Sequence, residues 1–251
     1  MNIAPIFAKK IVCTVESIVW MTRDVFCMRF TPNKKFQYDA GQFISIYVPS
    51  INGQRPFRRA YSLATAQRED GYELMVKVVE GGIGSNFLAA LKPGQSFEAT
   101  APYGDFRFES QEERRICFIA TGTGIAPLLS IARSEDFVTA HQPMLIFGAR
   151  DESEILCSNF FESAGFKTTF CLSRVSSSNP NRFSGRITHF LRSLPASWPF
   201  HATDFYLCGS GQMIAEVVNL LSAERAVAKS AIFAEAFFNA YSHSPSIKEA
   251  A

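Results

Sequence analysis

The feature that most narrows the choice of folds is a change of rhythm near residue 110. Beyond it, short apolar runs recur at 116–120, 144–147, 168–172, 205–208 and 231–234, the first reading Ile116-Cys117-Phe118-Ile119-Ala120. Four to five consecutive apolar residues fit a strand buried on both faces. Helical spacing follows most of them, from 126, over 152–164, over 187–194 and over 213–223. Strands that alternate with helices return in the same direction. The second half is therefore predicted to be a parallel, doubly wound α/β sheet.

The first half reads differently. Runs rich in β-branched and aromatic residues at 11–20, 25–31, 42–48, 59–65, 73–79 and 96–101 are separated by Gly, Pro, Asn or Asp. One helical segment, 85–91, ends at Lys92-Pro93-Gly94, a stop signal. Six short strands at this spacing predict an antiparallel barrel or sandwich. The polar stretch 109–114 is the natural linker, which divides the chain into domains at 1–110 and 111–251.

Composition removes several classes. Apolar residues make up 47% of the 251, enough for a sizeable core, which argues against disorder. A net charge of +2 argues against a dedicated nucleic-acid binder. No run reaches the roughly 18 apolar residues of a membrane span. The first ten residues place their lysines after a short apolar run, the reverse of a secretory signal, so a cytoplasmic protein is expected. Cys13, Cys27, Cys117, Cys157, Cys171 and Cys208 include no closely spaced set, so neither a metal nor an iron–sulfur cluster is expected. Most sit in or at the end of strand-like runs and read as free thiols in a reducing compartment.

Three segments carry chemistry. Thr121-Gly122-Thr123-Gly124-Ile125-Ala126-Pro127 falls where the first apolar strand gives way to a helix. Glycines there allow a tight turn and close approach of a ligand, while the helix start offers unpaired N–H groups to a phosphate. Pro127 suits a first helical turn, and the spacing departs from the G-x-G-x-x-G dinucleotide pattern. Gly81-Gly82-Ile83-Gly84-Ser85 also precedes a helix and could present amides and a hydroxyl to a phosphate, or be a plain hairpin connection. In Arg59-Ala60-Tyr61-Ser62, alternation puts Arg59 and Tyr61 on one strand face. An arginine can bridge a diphosphate, a tyrosine can stack on a planar ring and a serine can bond to its edge.

Taken together and in order, these segments resemble the ferredoxin–NADP+ reductase superfamily over nearly the whole chain. The family's R-x-Y-S motif corresponds to Arg59-Ala60-Tyr61-Ser62, and its G-x-x-S motif to Gly82-Ile83-Gly84-Ser85. Its T-G-T-G-x-x-P motif corresponds to residues 121–127, and its C-G-x-x-x-M motif to Cys208-Gly209-Ser210-Gly211-Gln212-Met213. The resemblance implies an N-terminal Greek-key β-barrel that binds FAD and a C-terminal domain that binds NADP(H). It implies that Arg59, Gly82, Gly84 and Ser85 serve the flavin diphosphate, that Ala60 and Tyr61 lie along the flavin, and that Ser62 approaches its N5. Lys77 would touch flavin through its main chain. Thr121, Gly122, Thr123, Gly124, Pro127, Gly209 and Met213 would form the nicotinamide nucleotide site, with Cys208 lining it as a packing and orienting group. In Phe233-Ala234-Glu235-Ala236-Phe237-Phe238, Glu235 is a candidate proton-relay group, and Phe238 or Tyr241 a candidate flavin-stacking ring. Ser62, Cys208 and Glu235 are thus the candidate catalytic set.

NADPH carries a ribose phosphate that NADH lacks, and a phosphate calls for cations. Arg150, Ser173-Arg174 and Arg186 match positions that bracket this phosphate in bacterial relatives, and no acidic residue ends the third parallel strand, so NADP(H) is expected. Residues 1–60 carry nine cations against three anions, a surplus suited to an acidic carrier such as ferredoxin or flavodoxin. The expected reaction is hydride transfer between NADP(H) and FAD, coupled to single-electron exchange with that carrier by a monomeric enzyme. The alternatives are an NADH-dependent reductase component of an oxygenase, a free-flavin reductase, a dihydroorotate dehydrogenase subunit (disfavoured because its cysteine cluster is missing) and a module that keeps the fold without turnover.

Overall fold

A computed structural model describes residues 8–49, 57–67, 71–109, 114–137, 142–175 and 179–237. The first sheet comprises β1 (Lys9–Trp20), β2 (Val25–Pro32), β3 (Phe43–Val48), β4 (Phe57–Ser62), β5 (Tyr72–Lys77) and β6 (Ser96–Tyr103), in the order β4-β3-β6-β1-β2-β5. Every pairing is antiparallel. Period-two alternation builds its interior: Ile11, Cys13 and Val15 of β1, Phe26, Met28 and Phe30 of β2, and Ile44 and Ile46 of β3 point into one buried cluster. The edge strands meet at a bridge between Leu63 and Leu74, reinforced by Ala64 N–H donating to the Glu73 carbonyl at 2.9 Å. The order and this closure make a Greek-key barrel. Helix α1 (Ile83–Ala90) drops Leu88 into the same cluster.

The second sheet comprises β7 (Arg115–Thr121), β8 (Met144–Ala149), β9 (Lys167–Leu172), β10 (Arg182–Ser184), β11 (Thr203–Ser210) and β12 (Ile232–Phe237). Their order is β10-β9-β8-β7-β11-β12, and every pairing is parallel. Helices cover both faces. Phe118, Ala120, Phe147 and Phe170 pack with α2 (Ile125–Arg133) and α3 (Ser158–Ser163) on one side. Cys117, Ile119, Ile146 and Leu207 pack with α4 (Ile187–Ser193) and α5 (Gly211–Asn219) on the other. The chain runs outward from β7 through β8, β9 and β10, then returns to add β11 on the far side of β7. The carboxyl ends of β7 and β11 therefore flank the point where strand order reverses, and ligands in open α/β sheets bind there.

The two lobes share a core. Val25, Ala64, Met75 and Phe106 from the barrel side lie in the same buried cluster as Ile125, Leu128 and Leu129 of α2. Arg133 Nη1 donates to the Ala64 carbonyl at 3.2 Å and to Glu73 Oε2 at 3.1 Å, across the seam. At the base of the second sheet, Arg114 Nε meets Asp204 Oδ1 at 2.6 Å, and Asp204 is 1% exposed. Removing one partner of so buried a pair leaves an uncompensated charge.

Two elements depart from the sequence reading. The helix expected over 152–164 is split into a 3-10 turn at Glu152–Glu154 and the short α3. Asp151 accepts the Ser153 N–H at 3.0 Å, Glu154 turns back to the Arg150 N–H at 3.0 Å, and Cys157 takes a left-handed φ of 58°. These local hydrogen bonds compete with a continuing helix. Strand β10 was unanticipated because three residues are too few to show a period. No helix among the described residues is long and apolar enough to cross a membrane.

Candidate functional site

Two cavities open side by side where the barrel meets the reversal point. The first, about 220 Å³, is lined by Arg59, Ala60, Tyr61 and Ser62 of β4 and by Gly82, Gly84 and Ser85 at the start of α1. The second, about 440 Å³, is lined by Thr121, Gly122 and Thr123 at the carboxyl end of β7, by Gly209 at the end of β11 and Met213 of α5, and by Arg150, Ser173, Arg174 and Arg186. Lys77, Thr123 and Phe237 line both. Most candidate residues scattered over the sequence thus gather at one seam.

In the first cavity, Arg59 and Tyr61 do share a face. A Cβ on Gly84 would stand 2.9 Å from Arg59 Cγ and 3.2 Å from Tyr61 Oη, so glycine is what lets the α1 loop close on the strand. Burial pushes the Tyr61 phenol up to about 12, which keeps it neutral. The Ser85 hydroxyl is turned inward, where it accepts the Val79 N–H at 3.1 Å and donates to the Gly82 carbonyl at 3.3 Å. It braces the loop. The N-cap residue of α1, Gly82, offers no side-chain cap, so the helix start is open to an anion.

Ser62 is the buried end of β4, and its Oγ donates to Glu235 Oε2 at 3.3 Å. These residues come from different lobes and are 173 positions apart. Burial raises the Glu235 carboxyl to about 7, the Ser62 hydrogen bond opposing that rise. Near neutral pH the group therefore exchanges a proton readily.

In the second cavity, Gly122 has a φ of 54° and no heavy atom within 4 Å of where a Cβ would stand, leaving an open cradle at the loop. Gly124 does something else. A Cβ there would lie 2.3 Å from the Cys208 carbonyl oxygen, so this glycine lets the loop pack on β11. Thr121 Oγ1 accepts the Ser210 N–H at 3.2 Å, tying the two strand ends together. Pro127 is buried within α2 and lines neither cavity.

Cys208 corrects the sequence reading. It is fully buried and lines neither cavity. Its position on β11 places it in the cluster beneath α2, with Glu235 opposite it in register. Burial, then the Glu235 carboxylate, hold its thiol well above the ordinary range, so it packs and does not attack. Phe238 and Tyr241 lie outside the described residues. The aromatic residue at the junction of the cavities is Phe237, which the motif comparison passed over. Lys77 lines both cavities, and its Nζ lies 3.2 Å from Asp24 Oδ2. Glu154, Gln212 and Glu216, unsignalled by any motif, also line the second cavity.

Comparisons with known proteins bear on the family and the fold. The oxidoreductase FAD-binding domain model matches residues 12–108, and the oxidoreductase NAD-binding domain model matches 118–219. Ferredoxin–NADP reductase B of Sorangium cellulosum is 30% identical over 216 residues, 81% of this chain and 87% of that protein. The chain belongs to the ferredoxin–NADP+ reductase superfamily. It is therefore an oxidoreductase with an FAD-binding and an NAD(P)-binding domain. The reductase component of propane 2-monooxygenase from Mycolicibacterium smegmatis is 27% identical over 89% of this chain, which spans 66% of that longer protein. A ferredoxin NADP+ reductase from Neisseria gonorrhoeae, solved with bound FAD and NADP, shares the fold with a TM-score of 0.79, at 20% identity and covering 92% of this chain and 100% of that one.

The residues present fit both groups. The first cavity offers about 220 Å³ lined by Tyr61 and a helix start without a side-chain cap, open to a diphosphate. The second offers the Gly122 cradle and three arginines.

Proposed function

We propose that this protein is a ferredoxin– or flavodoxin–NADP+ reductase, with residues 1–110 holding FAD and 111–251 holding NADP(H). One observation carries the reading: Arg150, Arg174, Arg186 and Ser173 line a cavity that shares Lys77, Thr123 and Phe237 with the cavity of the R-x-Y-S strand. FAD, when bound, supplies the ability to take a hydride and release electrons singly. The chain's own residues position and tune. Arg59 and the α1 amides bind the diphosphate, and Tyr61 shields the ring. Gly122 and Gly209 let a nicotinamide nucleotide approach, and Phe237 separates the two cavities and excludes water. Ser62 Oγ lines the first cavity and gives its proton to Glu235 Oε2; when Glu235 is protonated the bond reverses, and the Ser62 hydroxyl then presents its own proton to the cavity.

The acceptor is proposed to be an acidic protein carrier. Within the first sixty residues, Lys10 is matched by Glu98, and Arg29 by Glu16 and Glu73. Lys9, Arg23, Lys34, Lys35 and Arg58 remain exposed on the barrel, enough to steer such a partner at low ionic strength. A second reading, an NADH-dependent reductase component of an oxygenase system, is favoured by the ion pair between Arg150 and Glu154, which offsets one of the three arginines. Anaerobic titration of the purified protein with NADPH and NADH, followed by visible absorbance, tests both. Bleaching at lower NADPH than NADH supports the first reading. Bleaching by NADH alone supports the second, and a colourless protein that binds no flavin refutes both.

A further inference from the structure

The second cavity contains a carboxylate aimed at its own cationic wall. Glu154 forms an ion pair with the Arg150 guanidinium, and its Oε2 also accepts the Arg150 backbone N–H at 3.0 Å. The hold is thus double, on side chain and main chain. Glu154 is 22% exposed and Arg150 38%, so the pair sits at the cavity wall and is not free in solvent. The same two residues and Arg174 also line a smaller adjoining recess of about 140 Å³ that reaches Arg23 and Asp24 of the barrel.

Of the four cations on the second cavity, Lys77 is matched by Asp24 and Arg150 by Glu154. Arg174 and Arg186 make no ion pair among the described residues. A phosphate monoester near this wall meets Arg150 and its neutralising carboxylate together, so attraction and repulsion largely cancel. A ribose hydroxyl carries no charge and loses nothing by the presence of Glu154, which can accept a hydrogen bond from it. We infer that Glu154 is a specificity-determining residue: by quenching Arg150 it limits how far the cavity prefers a nucleotide with a 2′-phosphate over one without. The inference deepens the proposed function, since it rests on a nicotinamide nucleotide entering this cavity.

Glu154→Gln keeps the side-chain volume and an oxygen that can accept the Arg150 N–H, and removes only the charge. The probes are adenosine 2′,5′-bisphosphate and 5′-AMP, which differ by one phosphate, titrated calorimetrically into the FAD-loaded protein at low salt. Removing a unit charge several ångströms from a phosphate dianion, at the screening of a protein surface, changes affinity by about tenfold. The ratio of the two affinities is expected to rise about tenfold in Glu154→Gln, and the gain is expected to vanish in Glu154→Gln with Arg150→Met. A ratio that stays constant or falls overturns the inference, because Glu154 then only positions Arg150 or does nothing. Glu154→Ala, measured in the same way with a thermal-unfolding control, decides the matter if the glutamine variant folds poorly. Failure of the parent reading looks different. A wild-type protein that binds both probes equally refutes the NADPH preference, and the variant then supports or overturns the inference according to whether it gains one.

Discussion

Replacing Glu235 by Gln should change how stability depends on pH, with a direction set by the environment of the carboxyl. In the folded chain, burial holds this group's pKa at about 7, against an ordinary value of 4.5. Below pH 4.5 the carboxyl is protonated in both folded and unfolded chains and contributes no difference. Between about 4.5 and 7 the unfolded chain releases the proton while the folded chain keeps it, so stability falls as pH rises. At roughly 1.4 kcal/mol per pH unit, the whole window amounts to about 3 kcal/mol as an upper bound. Glu235 is only partly buried, which reduces the expected loss to about 1–2 kcal/mol. Glutamine keeps the shape and an acceptor for the Ser62 hydroxyl but cannot ionise. Urea unfolding of both proteins at pH 5 and pH 8 should therefore show the variant gaining about 1–2 kcal/mol on wild type over that interval. A difference that does not vary with pH would mean that Glu235 titrates as an ordinary surface carboxylate, and the proton-relay role would go with it.

Arg174→Ala should raise the KM for NADPH about tenfold and leave that for NADH nearly unchanged in steady-state assays, since a charge-assisted bond to phosphate is lost; equal effects would remove Arg174 from the phosphate site. Ser62→Ala should slow flavin reduction at least severalfold in stopped-flow absorbance while FAD stays bound, and an unchanged rate would end its catalytic assignment. Gly124→Ala should destabilise the protein by about 3 kcal/mol in urea, because its methyl group would fall 2.3 Å from the Cys208 carbonyl oxygen and 2.6 Å from the Gly209 nitrogen, atoms of a central strand that cannot move aside. Wild-type stability in that variant would show that the loop can lift off β11.

The fold was legible because its determinants are local. Apolar runs such as Ile116-Cys117-Phe118-Ile119-Ala120 announce a strand covered on both faces, and the alternation of Ile11, Cys13 and Val15 announces one covered on a single face. The loops at 82–85 and 121–127 were legible because only glycine permits the approaches found at Gly84 and Gly124. Pairings across the seam were not. The bond between Ser62 and Glu235 joins two lobes, and nothing in the spacing of either residue reveals its partner. The burial of Cys208 was misjudged because a motif states which residue follows a strand, not which face it takes. Glu154 read as one more charge in a helical stretch, since its return to Arg150 depends on the chain breaking there.

The cluster that Val25, Ala64, Met75 and Phe106 form with helix α2 carries a consequence for the molecule as a whole. The interior beneath α2 is completed by side chains of both lobes, so neither half has a water-tolerant surface of its own along that boundary. Melting should proceed as one event, and the crevice between the lobes keeps its width because the material behind it is solid.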